Sequence, residues 1–328
     1  MSSSSSSSEI SVRRCGLSRD ERFVSDSWLR GVVWSAEVEK VLYDAESAFQ
    51  RITVVETTSL GRALVLDGAL QCAERDERGY HEFLTHVPLL RRGAFSLRRQ
   101  GGLRVLVVGG GDGGIAREAL KHEAVGQVDL VEIDPEVVAA CRTFLPSIWP
   151  SDDNRLAVIH DDASKFVEAC EAERYDLVVV DASDPVGPGA SLYTREFYAN
   201  VRRVLRRRGA AVVQAGSFWY LPRVLRTVDA GLRAAGFAVV RPYSCFTAIY
   251  PGGQWNLVCA TKRRGDDPSR PHRRRATRFC RDHADLEFYD PQAHHAAFQL
   301  APLAKRELAK PPPSDAEVAA DLAEIYQL

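Results

Sequence analysis

A mostly parallel α/β sheet behind a small N-terminal β domain is the fold that three features of this 328-residue chain predict. Apolar runs of strand length recur at residues 105–108, 128–132, 156–159, 177–181 and 211–214. Segments of helical period separate them, at 136–145, 194–205 and 222–235. The first run empties into Gly109-Gly110-Gly111-Asp112-Gly113-Gly114, a glycine loop where a strand gives way to a helix. Alternating strands and helices require crossover connections, which put helices on both faces of a parallel sheet.

Residues 1–25 carry a run of seven serines and no apolar core of a secretory signal, and they read as a disordered tail. Asp20 and Glu21 count against a transit peptide. Residues 26–78 form the small β domain: alternation at 51–56 and 63–67 around Gly61 predicts β-hairpins that lay Gln50 and Gln71 over the next domain. Residues 76–90 read as a helix delivering Tyr80. The large α/β domain spans 79–305. Within it, the arginine-rich stretch 262–278, broken by Gly265, Pro268 and Pro271, reads as a solvated connecting loop. Residues 306–328 form a C-terminal helical extension, with Val318, Leu322 and Ile325 at helical spacing after three prolines.

In sheets of this class ligands bind outside the carboxyl ends of the strands. Four acids fall there: Asp112, Glu132, Asp162 and Asp181. A glycine loop leading into a helix ordinarily cradles phosphate. Asp112 makes this one hostile to anions and hospitable to a cation, which predicts a ligand with an adenosine part and a positively charged tail. Glu132 lies about 20 residues beyond the loop, the separation at which a carboxylate takes ribose hydroxyls. Helix capping is its alternative, although Asp134 before Pro135 suits a cap better. Asp162-Ala163 either caps the following helix or accepts from an adenine amino group. Residues 181–188, Asp-Ala-Ser-Asp-Pro-Val-Gly-Pro, present Asp181 and Asp184 from a stiff loop. Paired acids suit a diamine, and one of them can take the proton an ammonium must lose before attacking.

Residues 64–82 (Leu-Val-Leu-Asp-Gly-Ala-Leu-Gln-Cys-Ala-Glu-Arg-Asp-Glu-Arg-Gly-Tyr-His-Glu), the Asp112 loop, residues 181–188 and Tyr250-Pro251-Gly252-Gly253 together resemble the spermidine synthase (polyamine aminopropyltransferase) family. The likeness runs from about Trp34 to Leu300. It implies a Rossmann-like domain of the S-adenosylmethionine-methyltransferase type, a homodimer or homotetramer, and aminopropyl transfer from decarboxylated S-adenosylmethionine to putrescine, giving spermidine and methylthioadenosine. Carried onto matching positions, Gln50, Gln71, His81, Asp112, Glu132, Asp162 and Ala163 hold the donor. Tyr80, Asp181, Asp184 and Tyr250 hold the amine, with Asp181 as proton acceptor and Trp28 or Trp34 lining the channel. The donor is a co-substrate, and no cofactor is implied. The likeness leaves open a spermine or thermospermine synthase, because no acid stands near Gly216. It also leaves open a putrescine N-methyltransferase or an inactive homologue.

Composition agrees with an enzyme of small molecules. A net charge of −1 gives no global affinity for nucleic acid. No apolar run reaches membrane-spanning length. Seven cysteines, an odd number without CxxC spacing, point to reduced thiols in the cytoplasm and give no reason to expect a metal.

Overall fold

The computed structural model describes residues 23–29, 32–93, 101–183 and 187–326. Five antiparallel strands come first: β1 Phe23–Leu29, β2 Val32–Glu46, β3 Arg51–Thr57, β4 Gly61–Leu66 and β5 Ala69–Ala73, paired in that order. Side chains alternate between the two faces of this sheet. Ile52, Val54, Leu64 and Cys72 pack with Val137 and Cys141 of a helix in the large domain and with Leu145, which caps its end. Val55, Ala63 and Val65 face the other way, in a cluster with Ile249. Both sides of the small sheet are thereby used.

Helix α1 (Glu77–Leu90) links the two sheets and is buried at every residue except Arg78. A helix buried all round must pair its polar side chains. Glu82 accepts the backbone N–H groups of Glu287, Phe288 and Tyr289 at 2.9, 2.9 and 2.7 Å. His86 meets Glu118 and His122 at 3.0 Å each.

The large sheet contains β6 Leu103–Gly109, β7 Val125–Glu132, β8 Leu156–His160, β9 Tyr175–Asp181, β10 Leu205–Gln214, β11 Val239–Phe246 and β12 Gln254–Thr261. Its order is β11-β12-β10-β9-β6-β7-β8. The five strands from β8 to β10 run parallel, and β12 and β11 add an antiparallel edge. Helices α2 Gly114–Leu120, α3 Pro135–Phe144, α4 Ala163–Ala169, α5 Arg195–Val204 and α6 Pro222–Ala234 connect them. Local chemistry starts several of these helices. Asp134 caps α3 through Glu136 N–H at 3.0 Å with Pro135 at the first position, and Thr194 caps α5 through Phe197 N–H at 3.1 Å. Valines 178, 179 and 180 of β9 are fully buried, as befits a strand covered on both faces.

Helices α7 Arg273–Asp282, α8 Pro291–Ala297, α9 Pro302–Leu308 and α10 Asp315–Tyr326 close the chain. The first of them corrects the reading of 262–278 as wholly connecting loop. Ala276 and Phe279, three apart, are buried beneath the arginines, and the Phe279 ring stacks on His122 at 4.1 Å and 7°. Those two inward contacts order a segment whose charges face solvent. The extension packs through α10 against β1 and α6. No described helix is long and apolar enough to cross a membrane.

Candidate active site

Sequential strands β6, β7 and β8 run one way from β6, whereas β9 returns to its other side. The crevice opens at this switch point, where Gly109 pairs directly with Asp181. Gly109 and Gly110 have φ of +74° and +65°, and a Cβ on Gly109 would collide with the Asp181 carbonyl oxygen. Close backbone approach at that pairing lays the glycine loop beside the catalytic-candidate carboxylate.

The loop turns Asp112 toward α1. Its Oδ1 accepts the Gly114 N–H at 2.7 Å and lies 3.4 Å from His81 Nε2. On the far side of the ring, His81 Nδ1 donates to Glu77 Oε2 at 2.6 Å, and Arg117 Nη2 donates to the same oxygen at 2.8 Å. Burial works against a charged imidazole, yet Asp112 and Glu77 outweigh it and hold His81 well above its ordinary pKa. The reciprocal effect of His81, opposed by burial, keeps Asp112 ionised. Asp112 is therefore not a bare carboxylate. It shares one oxygen with an imidazolium, and both of these contacts fall on Oδ1. A Cβ on Gly114 would run into the His81 ring, which Glu77 prevents from retreating. Gly114→Ala is accordingly expected to destabilise the fold by about 1–3 kcal/mol, read as a lower urea midpoint, with donor binding weakened.

Asp181 ends β9. Tyr80 Oη donates to its Oδ1 at 2.6 Å, and the Tyr80 ring meets Tyr250 edge-on at 6.0 Å. Tyr250 in turn donates to the Gln71 carbonyl at 2.8 Å, which ties the amine-side aromatic residues to β5. Burial, then the Asp112 charge, push the Asp181 carboxyl up to about 6, against the opposing pull of His81 and Tyr80. Gln214 supports the residue after it, donating from Nε2 to the Ala182 carbonyl at 2.9 Å while its Oε1 accepts from Trp255 Nε1 at 3.0 Å. Tyr193 donates to the Ser183 carbonyl at 3.1 Å. Glu77, Arg117, Gln214, Tyr193 and Trp255 were not singled out from the sequence. Only Gln214 gave a signal there, as the polar residue that closes the apolar run 211–214.

Glu132 ends β7 beside the glycine loop, and a Cβ on Gly111 would lie 3.0 Å from its carboxylate. Burial chiefly pushes it up to about 7, against the Asp134 backbone N–H, which favours the charged form, and with the Asp134 carboxylate adding to the rise. Its Oε1 accepts the Asp134 N–H at 3.0 Å. Asp134 Oδ2 collects Gln50 Nε2 at 3.0 Å and Ser47 Oγ at 2.7 Å, so Gln50 reaches the crevice rim through a bond that joins the two domains. Asp162 caps α4, accepting from Ser164 N–H at 2.9 Å, and Ala163 follows as the first helical residue. Gln71 Nε2 donates to the Ala69 carbonyl at 3.2 Å. Trp34 is half-buried against the cluster that includes Ile249 and Tyr250. Asp184 and the Trp28 side chain lie outside the described residues.

Residues 77–267 match the model of the spermine/spermidine synthase domain, and residues 25–74 match that of the spermidine synthase tetramerisation domain. The chain belongs to the spermine/spermidine synthase family. Among its relatives, it is 36% identical to a polyamine aminopropyltransferase of Methanocaldococcus jannaschii over 272 residues, 83% of this chain and 89% of that protein. It is 35% identical to one from Bacillus mycoides over 268 residues, 81% and 91% of the two chains. A solved spermidine synthase in complex with the transition-state analogue AdoDATO superposes with a TM-score of 0.80 at 29% identity, covering 90% of this chain and 98% of the other. Spermidine synthase from Thermotoga maritima gives 0.78 at 29%, over 90% and 97%. The Rossmann-like sheet and N-terminal β domain are thus those of the spermidine synthase fold. Family membership makes this chain a polyamine aminopropyltransferase-type transferase of polyamine biosynthesis, with an oligomerisation domain at its N-terminus.

Proposed function

We propose that this chain moves the aminopropyl group of decarboxylated S-adenosylmethionine to putrescine, giving spermidine and methylthioadenosine, with Asp181 as proton acceptor. One observation carries the reading. Asp181 closes the strand beside the glycine loop with its carboxyl pushed up to about 6, next to a second acid, Asp112, that stays ionised. One group is poised to take a proton near neutral pH, and the other to hold a cation.

The reaction needs little else. The acceptor ammonium gives its proton to Asp181, and the freed nitrogen lone pair attacks the methylene carbon bonded to sulfur. The C–S bond breaks with its electron pair going to sulfur, and the sulfonium leaves as a neutral thioether. Because the sulfonium is already an activated leaving group, the enzyme must mainly align the two partners and remove one proton, with no cofactor. Asp112 faces the donor's terminal ammonium, Glu132 takes the ribose, and Asp162 and Ala163 flank the base, with Gln50, Gln71 and His81 completing the donor side. Tyr80 and Tyr250 flank the diamine, and Asp184 joins Asp181 in neutralising it. Assembly as a homodimer or homotetramer is consistent with the match to the tetramerisation model. We assign the activity to the cytoplasm, on the reduced-thiol reading of the cysteines.

Purified protein is expected to consume decarboxylated donor with putrescine and to ignore ordinary S-adenosylmethionine. Spermidine supplied as a second acceptor decides between spermidine and spermine synthesis. Equal use of the carboxylated donor would favour a methyltransferase instead. Acidity gives a second test. Below about 6 Asp181 holds its proton and cannot accept another, so kcat/KM for putrescine at saturating donor is expected to fall roughly tenfold per pH unit there and to level off above. Glu132→Gln should leave that limb in place, although Glu132 itself titrates at about 7. A limb that disappears in Glu132→Gln assigns the proton to the wrong acid.

A further inference from the structure

Aminopropyl transfer leaves Cys72 without a task. Its thiol, the His81 imidazole and the Asp112 carboxylate arrive from β5, α1 and the loop after β6, and their ligand atoms lie within 4.8 Å of one another. Cys72 and His81 are buried, while the Asp112 side chain keeps 12% of its surface open toward the crevice. His81 Nε2 and Asp112 Oδ1 are 3.4 Å apart, close to the edge of about 3.3 Å that two bonds of ~2.05 Å make around a tetrahedral centre. The remote nitrogen, Nδ1, is held by Glu77 Oε2 at 2.6 Å, and Arg117 Nη2 holds that oxygen at 2.8 Å. A carboxylate on the far nitrogen is the arrangement that fixes ring and tautomer when a histidine ligates a metal.

We propose that Cys72, His81 and Asp112 form a reversible binding site for a zinc-type divalent cation, with Glu77 orienting His81 and the fourth position open to the crevice. Sulfur, nitrogen and one carboxylate oxygen make a borderline-soft set that suits Zn2+, whereas Mg2+ and Ca2+ take oxygen ligands. On ligation the Cys72 thiol proton and the His81 Nε2 proton pass to solvent, and nothing is oxidised or reduced. Bound metal would neutralise the Asp112 carboxylate and set a divalent cation where the donor ammonium is proposed to sit, so metal and donor exclude each other. That exclusion rests on the proposed function, whereas the site itself does not.

Co2+ added to the metal-stripped full-length chain is the probe. The expected result is one Co2+ per chain, a thiolate-to-cobalt charge-transfer band in the near ultraviolet, and intense visible bands of a four-coordinate ion, all reversed by Zn2+. Cys72→Ser should lose the near-ultraviolet band, while Cys280→Ser on α7 should keep it. Zn2+ should inhibit turnover competitively with decarboxylated donor, and Cys72→Ser should need at least about tenfold more Zn2+ to halve its own uninhibited rate. A band that survives Cys72→Ser, or bound cobalt without thiolate absorption, overturns the site. Should Cys72→Ser not fold, X-ray absorption on the zinc-loaded wild-type chain decides. One sulfur among nitrogen and oxygen neighbours supports the site, and a shell without sulfur refutes it. A chain that turns over donor without the cobalt band fails this inference alone. A chain with the band but no turnover fails the proposed function alone.

Discussion

Asp181→Asn is expected to lower kcat by about 10²- to 10⁴-fold, the usual worth of a positioned general base, while donor affinity stays within a few-fold of wild type. The substitution keeps shape and leaves an oxygen for the Tyr80 hydroxyl, which now sits 2.6 Å from Oδ1. What disappears is a carboxyl pushed up to about 6 on the residue that pairs directly with Gly109 of the glycine loop. Single-turnover rates with saturating donor, set against calorimetric donor binding, separate the two quantities. Turnover within about tenfold of wild type would move the proton-accepting role elsewhere.

Asp112→Asn is expected to cost about 10- to 100-fold in kcat/KM for decarboxylated donor, the equivalent of the roughly 1.5–3 kcal/mol carried by a hydrogen bond to a charged group. Discrimination against the carboxylated donor should narrow with it, because a neutral amide no longer repels a carboxylate. Part of the loss passes through His81, which Asp112 helps keep protonated against the effect of burial. Comparing Asp112→Asn with His81→Gln and with the double variant isolates that share. Kinetics with both donors within twofold of wild type would show that the ammonium binds another group.

Much of the scaffold could be read from local pattern. The strands ending at Gly109, Glu132 and Asp181 were legible because a strand covered on both faces is a largely apolar run, broken in β7 by Asp129, and Glu132 and Asp181 close their runs at the sheet's carboxyl edge. Asp134 before Pro135 was legible as a cap because capping acts over two residues. The antiparallel pair β11 and β12 was not anticipated, since Arg241 and Pro242 interrupt the first of these strands and its pairing partner is known only in space. Helix α7 was masked by arginines, and its two inward residues gain meaning only once His122 lies beneath Phe279. For Asp162 the sequence allowed either a cap or a base-binding role, and the capping bonds are what the fold displays. Cys72, His81 and Asp112 come together only through the fold, so no spacing of cysteines along the chain reveals them as a group.

Strand and helix order, the glycine loop and the placing of Asp112, Glu132 and Asp181 at strand ends follow from the sequence itself, because backbone preference and side-chain period act between near neighbours. The charge states of those acids belong to the tertiary structure. Tyr80 and Asp181 are 101 residues apart in the chain and 2.6 Å apart in space. Asp112 acquires its imidazolium only because α1 passes under the loop, with Glu77 and Arg117 fixing the ring. Desolvation and Coulomb energy depend on distance through space and on what excludes water, and neither can be read from order along the chain.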